Sequence, residues 1–153
     1  MAIEKTIFLK DLAETKELGK EISTFLRRGD LIYLKGDLGS GKTELVRAIL
    51  EGLGFDGRVK SPSYSLFEQY SLKFTINHFD LYRFKSSQEW DDCGFNEFIN
   101  ENDVTIIEWP EKSQNTLPIP DIEFHFSYND DISRNLIIKG KTERGIECIK
   151  SFG

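Results

Sequence analysis

An α/β fold in three layers, with a central, mostly parallel sheet and an antiparallel extension, is predicted by three observations. The apolar run Leu31-Ile32-Tyr33-Leu34 leads into a glycine-rich segment, and a pattern with Leu45, Val46, Ile49, Leu50 and Leu53 on one helical face leaves it. A second strand-like run, Asp103-Val104-Thr105-Ile106-Ile107, ends in an acidic residue, Glu108. Two alternating runs near the end, 122–126 and 135–139, flank Asn129-Asp130-Asp131, which reads as a hairpin turn.

The elements follow in order. Residues 5–10 read as a first strand with Ile7 and Leu9 on one face. Asp11 then starts a helix, and Glu14 completes a capping-box pattern. Its apolar stripe is Leu18, Ile22, Phe25 and Leu26, with Arg27 and Arg28 at its C-terminal end and Gly29 as its terminator. After the glycine-rich segment and its helix, Gly54 closes that helix and 55–60 form a polar connection. Residues 64–72 suggest a strand with imperfect alternation, and 74–79 another antiparallel to it; these two strands and the final hairpin are expected to form the antiparallel extension. Ser86 and Glu89 form a second capping-box pattern, starting a helix through Trp90; Gly94 interrupts, and Phe95, Phe98 and Ile99 continue an apolar face. Pro118 and Pro120 mark a loop, and the tail 145–153 receives no element. No linker or repeat divides the chain, so 1–153 reads as a single domain.

Bulk properties narrow the function classes. The 153 residues suffice for one real core. A net charge of -6 argues against nucleic-acid binding by bulk phosphate attraction. Cys93 and Cys148 lack metal or redox spacing and read as reduced thiols of a cytoplasmic protein. No signal-peptide pattern and no apolar run of membrane-spanning length occurs, so no membrane is expected as a partner.

Gly36 to Thr43 fits the phosphate-loop pattern of Gly, four residues, then Gly-Lys-Thr, and the strand before and helix after are the context that pattern requires. Gly36, Gly39 and Gly41 let the backbone curl until several N–H groups point inward, and the following helix adds the positive end of its dipole. The candidate nucleotide contacts are Asp37, Leu38, Gly39, Ser40, Gly41, Lys42, Thr43 and Glu44, with Lys42 a point charge for the β and γ phosphates and Thr43 a hydroxyl for Mg2+. A chance match arises roughly once in a few hundred chains of this size.

Hydrolysis also needs a carboxylate that anchors Mg2+ or orients water. Asp80 and Glu108 both end strand-like runs, where the carboxyl ends of a parallel sheet line a ligand crevice. The run before Asp80, Ile76-Asn77-His78-Phe79, is mixed and matches the usual apolar strand poorly. Ser61 and Ser63 sit where a nucleotide-sensing switch would, against the plainer reading of a Ser-Pro turn. Arg83 is a candidate phosphate or partner contact, against an exposed arginine. Trp109 is either a core aromatic or a contact residue. His78 and His125 read as structural. The Asn-Lys-x-Asp signature of guanine-specific enzymes is missing, which favours ATP.

Gly36-Asp37-Leu38-Gly39-Ser40-Gly41-Lys42-Thr43, then Ser61-Pro62-Ser63-Tyr64, His78-Phe79-Asp80-Leu81-Tyr82-Arg83 and Ile107-Glu108-Trp109-Pro110-Glu111 resemble, in order and spacing, the TsaE family, formerly YjeE, over almost the whole chain. The family usually has Thr where this chain has Ser63; both offer a hydroxyl. The resemblance implies a P-loop NTPase fold and an ATPase with ATP and Mg2+. It also implies support of the TsaB–TsaD complex in forming N6-threonylcarbamoyladenosine at position 37 of tRNA, without transfer of the group by this chain. It implies Lys42 and the loop amides on phosphate, Thr43 and Glu108 linked to Mg2+, Asp80 as an essential acid acting on Mg2+ or water, and Trp109 in the site or in a partner-sensitive contact. Direct tRNA contact stays open. The competing classes are a small-molecule kinase, a non-hydrolysing nucleotide switch and a GTPase.

Overall fold

The structure is a computed structural model that describes residues 3–60, 62 and 65–152. Among these, strands β1 (Ile3–Leu9), β2 (Leu31–Lys35), β3 (Phe67–Ser71), β4 (Thr75–Asp80), β5 (Val104–Glu108), β6 (Ile122–Tyr128) and β7 (Arg134–Gly140) join in one sheet. Its order is β1-β7-β6-β2-β5-β4-β3. Strands β6, β2, β5 and β4 are parallel, while β7, β1 and β3 pair antiparallel with their neighbours. This is the α/β class expected, with antiparallel strands at both edges.

One placement differs. The pattern of 64–79 puts both of its strands in the antiparallel extension, but β4 pairs in parallel with β5, from Ile76↔Val104 to Asp80↔Glu108, and β3 alone is antiparallel at that edge. Parallel pairing requires a long crossover, and residues 81–103 supply it. The mixed composition of β4 is accounted for residue by residue. Asn77 is buried, and its amide accepts from Gln69 and donates to the Phe98 carbonyl and to Asp103.

Alternate strand residues feed two cores. Ile32, Leu34, Ile106 and Phe124 pack with helices α1 (Leu12–Ser23) and α2 (Lys42–Gly52), through residues such as Leu18, Ile22, Leu45 and Ile49. Full burial of Leu45, Val46, Ile49 and Leu50 anchors α2, each contributing about 1.5–3 kcal/mol. Leu31, Tyr33, Phe79 and Ile107 face the other way, onto Trp90 of helix α3 (Gln88–Asp92), with Phe95 and Phe98 of the following 3-10 turn packed against them. Helix α4 (Glu143–Lys150) adds Cys148 and Ile149 to the first core.

Three local features depart from the sequence reading. Helix α1 stops at Ser23, before Phe25 and Leu26. The Ser23 and Thr24 hydroxyls donate to the carbonyls of Lys20 and Glu21, each at 2.6 Å, and such side-chain bonds compete with helix continuation. Gly29 therefore serves the turn into β2, at φ +92°, and does not end the helix. At α3 the Glu89 carboxylate accepts from the amides of Lys85 and Ser86, so half of that capping box forms, and Ser87 takes the N-cap position. The tail holds α4, capped by Thr142. Its Gly145 disguises the helix in the sequence; a Cβ there would lie 1.8 Å from the Asp121 carbonyl oxygen, so only glycine lets the helix dock.

Candidate active site

Strand β2 ends at Lys35, and the chain curls before α2 starts at Lys42. Gly36, Gly39 and Gly41 take φ values of +143°, +74° and +118°, which L side chains resist. A Cβ on Gly36 would also lie 2.7 Å from Ser40 Oγ and 2.8 Å from the Phe126 carbonyl oxygen. The N-caps of α1 and α4, Asp11 and Thr142, accept from the amides of Glu14 and Gly145, whereas the N-cap of α2 is Gly41, with no side chain to do so. The first-turn amides and the positive dipole end of α2 are thus left for a ligand.

Lys42 joins this loop to the opposite wall. Its Nζ donates to the Gly36 carbonyl at 2.5 Å and lies 3.9 Å from the centroid of the Trp109 ring, a cation–π contact. Burial lowers the Lys42 pKa, against the opposing charges of Glu108, Asp80, Glu111 and Asp37. Polyanionic phosphate would restore the partner that water no longer provides.

The opposite wall comes from the ends of β4 and β5. Asp80 and Glu108 are direct register partners, both buried, at 4% and 2% exposure. Two carboxylates side by side repel, so the pair calls for positive charge nearby. Glu108 Oε2 lies 2.6 Å from His78 Nε2 and 3.5 Å from Thr43 Oγ1. Asp80 Oδ1 accepts from the Tyr82 amide at 2.9 Å, which fixes that carboxylate at the strand end. Trp109 follows Glu108 in a left-handed conformation, φ +59°, that costs a non-glycine residue about 1–2 kcal/mol. This bend brings the indole over Lys42, and the Trp109 and Tyr82 ring centroids lie 5.0 Å apart.

The donor set suits a hard cation. Thr43 offers a hydroxyl, and Glu108 and Asp80 offer carboxylates. Among the described residues no group of three or more His, Cys, Asp or Glu is arranged to hold a metal alone. Mg2+ characteristically takes one or two carboxylates and completes its shell with water and substrate phosphate, so these residues fit it in the company of a nucleotide.

Leu38, Gly39, Gly41, Lys42, Thr43 and Glu44 line one cleft together with Asp80, Glu108 and Trp109. Asp37 is exposed at the loop, and Ser40 is buried beneath it. Arg83 lines a separate groove with Glu89 and Asp92. Ser61 and Ser63 lie outside the described residues. A larger groove of about 510 Å³ between β1 and α1, against about 310 Å³ for the cleft, shares no residue with the phosphate loop.

His78 was legible only as a structural histidine, yet it holds Glu108. Its signal is the two-residue spacing from Asp80, which puts both on one face of a strand. Tyr128 and Arg134, which touch the loop from behind, left no sequence signal.

The profile of the family described as threonylcarbamoyl adenosine biosynthesis protein TsaE matches residues 9–136. The chain belongs to the TsaE family. A relative from Haemophilus influenzae, described as tRNA threonylcarbamoyladenosine biosynthesis protein TsaE, is 37% identical over 96% of each chain. One from Bacillus subtilis with the same description is 34% identical over 69% of this chain and 66% of its own. A crystal structure of Bacillus subtilis YdiB superposes with a TM-score of 0.81 over 98% of this chain and 94% of that one, at 24% identity, and shows that the fold is shared. The TsaE match thus takes in the phosphate loop, Asp80, Glu108 and Trp109. No helix among the described residues is long and apolar enough to cross a membrane.

Proposed function

We propose that this TsaE-family chain binds ATP with Mg2+ and hydrolyses it to ADP and phosphate. In doing so it supports the TsaB–TsaD complex in forming N6-threonylcarbamoyladenosine at position 37 of tRNA. The observation that carries the reading is the convergence, in one cleft, of an uncapped glycine-rich helix start, Lys42 and Thr43 with two buried carboxylates on the facing strands.

Each residue has a part. The loop amides and Lys42 bind the phosphates and neutralise charge that develops in phosphoryl transfer. Thr43 and Glu108 would hold Mg2+, which would supply Lewis-acid neutralisation of the phosphate oxygens. His78 keeps the Glu108 carboxylate turned toward Thr43. Asp80, held by the Tyr82 amide, would act on the attacking water or on Mg2+. Trp109 roofs the cleft and excludes bulk water from Lys42. Among the described residues no arginine lines the cleft, which leaves room for a partner to supply a second cation to the transition state. Slow hydrolysis alone, retuned by TsaB–TsaD, follows. The absence of the guanine signature favours ATP over GTP.

The test is Mg2+-dependent phosphate release from ATP by the purified chain, alone and with TsaB–TsaD, with Lys42→Ala as control. Slow release that changes with the partners and disappears in the variant supports the reading. Tight ATP binding with no release under either condition replaces it with a nucleotide-dependent switch.

A further inference from the structure

The hairpin made by β6 and β7 lies behind the phosphate loop and touches it through main-chain carbonyls. Tyr128 Oη donates to the Leu38 carbonyl at 2.7 Å. Arg134 Nε donates to the Ser40 carbonyl at 3.1 Å, and its Nη2 lies 3.5 Å from the Gly39 carbonyl oxygen. Three consecutive carbonyls of the loop are therefore held on the hairpin side. The two side chains also hold each other, with the Arg134 guanidinium 4.3 Å from the Tyr128 ring centroid.

The brace is itself stiff. Arg134 Nη1 donates to the carbonyls of Asp130 and Ser133, both at 3.0 Å. The Asp130 carboxylate accepts from the amides of Ile132 and Ser133, closing the turn.

Peptide planarity gives this contact a consequence on the other side of the loop. In a trans peptide the N–H points opposite to the C=O. Holding the Leu38 and Ser40 carbonyls against the hairpin turns the N–H groups of Gly39 and Gly41 away from it, and both glycines line the cleft. The peptide between them is the one with the longest contact, at Gly39, and its N–H is turned instead to the Asp37 carbonyl at 3.1 Å. A loop with glycines at three of six positions would otherwise sample many conformations and lose that freedom on binding.

We propose that Arg134 and Tyr128 are positioning residues that pre-set the phosphate loop for nucleotide by fixing its carbonyls from behind. The inference rests on the reading that this loop binds nucleotide phosphates. The guanidinium matters for its geometry, because one planar group serves Ser40, Gly39 and the hairpin turn together. A lysine supplies charge without that fork.

The experiment is calorimetric titration of ADP into the full chain and into Tyr128→Phe, Arg134→Lys and Arg134→Ala, with thermal melts and steady-state ATP kinetics on each. Tyr128→Phe, which removes one oxygen and keeps the ring, is expected to weaken ADP about threefold at unchanged Tm. Both Arg134 variants are expected to weaken it about tenfold or more, with lysine failing to rescue. KM for ATP should rise in parallel while kcat stays within about twofold, a split that a general folding defect does not produce. Unchanged ADP affinity in all three variants, or a fall in kcat alone, overturns the positioning role and leaves the nucleotide reading standing. No ADP binding by the unaltered chain overturns both.

Discussion

The two walls of the cleft are built from different material. The glycine-rich wall is a run of consecutive residues, Gly36 to Thr43, and it works through main-chain groups held in left-handed conformations. The facing wall takes His78 and Asp80 from one strand and Glu108 from the next, and it works through side chains placed by strand register. On the proposed function, the first wall would recognise charge and shape and govern binding, and the second, whose acids must be aimed, would govern chemistry. Lys42 belongs to both, sitting in the loop helix and over Trp109.

The largest expected effect is at that junction. Lys42→Ala should lower phosphate release from ATP by about 100-fold or more, since removing one charge-stabilising donor from a transition state typically costs about that much. It should also weaken ATP in a fluorescence or calorimetric titration. Next come the carboxylates. Glu108→Gln and Asp80→Asn should each reduce kcat about 30-fold or more while ADP affinity in the absence of Mg2+ stays within about threefold. A loss confined to affinity would collapse the distinction between the walls. Glu108→Gln should in addition raise the Mg2+ concentration needed for half-maximal hydrolysis.

The reverse split is expected from the loop. Gly36→Ala should weaken nucleotide more than it slows turnover, because its Cβ would meet both Ser40 Oγ and the Phe126 carbonyl at under 3 Å. A cost of about 1–3 kcal/mol in urea-unfolding stability should accompany it. A control comes from the other end of the sheet. Arg144 of α4 pairs with the buried Asp30 through Nε–Oδ1 at 2.8 Å and Nη2–Oδ2 at 3.0 Å. Arg144→Ala should cost about 2 kcal/mol of stability, measured by urea unfolding, without moving the ADP affinity.

The smallest effect concerns pH. On β6, Glu123 is surrounded by Lys35 at 3.1 Å, His125 at 3.5 Å and Lys141 at 3.6 Å. Burial, and then the charge of Lys35, depresses the pKa of His125, with Glu123 opposing. The unfolded chain takes up the proton near pH 6.5, before the folded chain does, so stability falls as pH drops through and below that value. His125→Gln should remove that part of the loss, a difference of about 2 °C in Tm between pH 7 and pH 5.5 by thermal melt. An identical acid shift in the variant would assign it to carboxylates alone.

What the sequence by itself determined was whatever contiguous residues decide. The phosphate loop, the amphipathic α2, the Asp11 cap and the turn at Asn129-Asp130-Asp131 each lie within a few residues of chain, where dihedral preference and periodicity act directly. The two candidate acids were visible because each closes a strand-like run. Only the tertiary structure decided that β4 runs parallel to β5, that Asp80 therefore stands opposite Glu108, and that His78 reaches Glu108 across the pair. It also decided that Arg134, 94 residues from Ser40 in the chain, braces the loop. The reason is register. A strand's side chains repeat every two residues whatever its neighbour, so the sequence carries the face each residue occupies but not the partner it meets, and that partner is chosen by the crossover and the core packed against it.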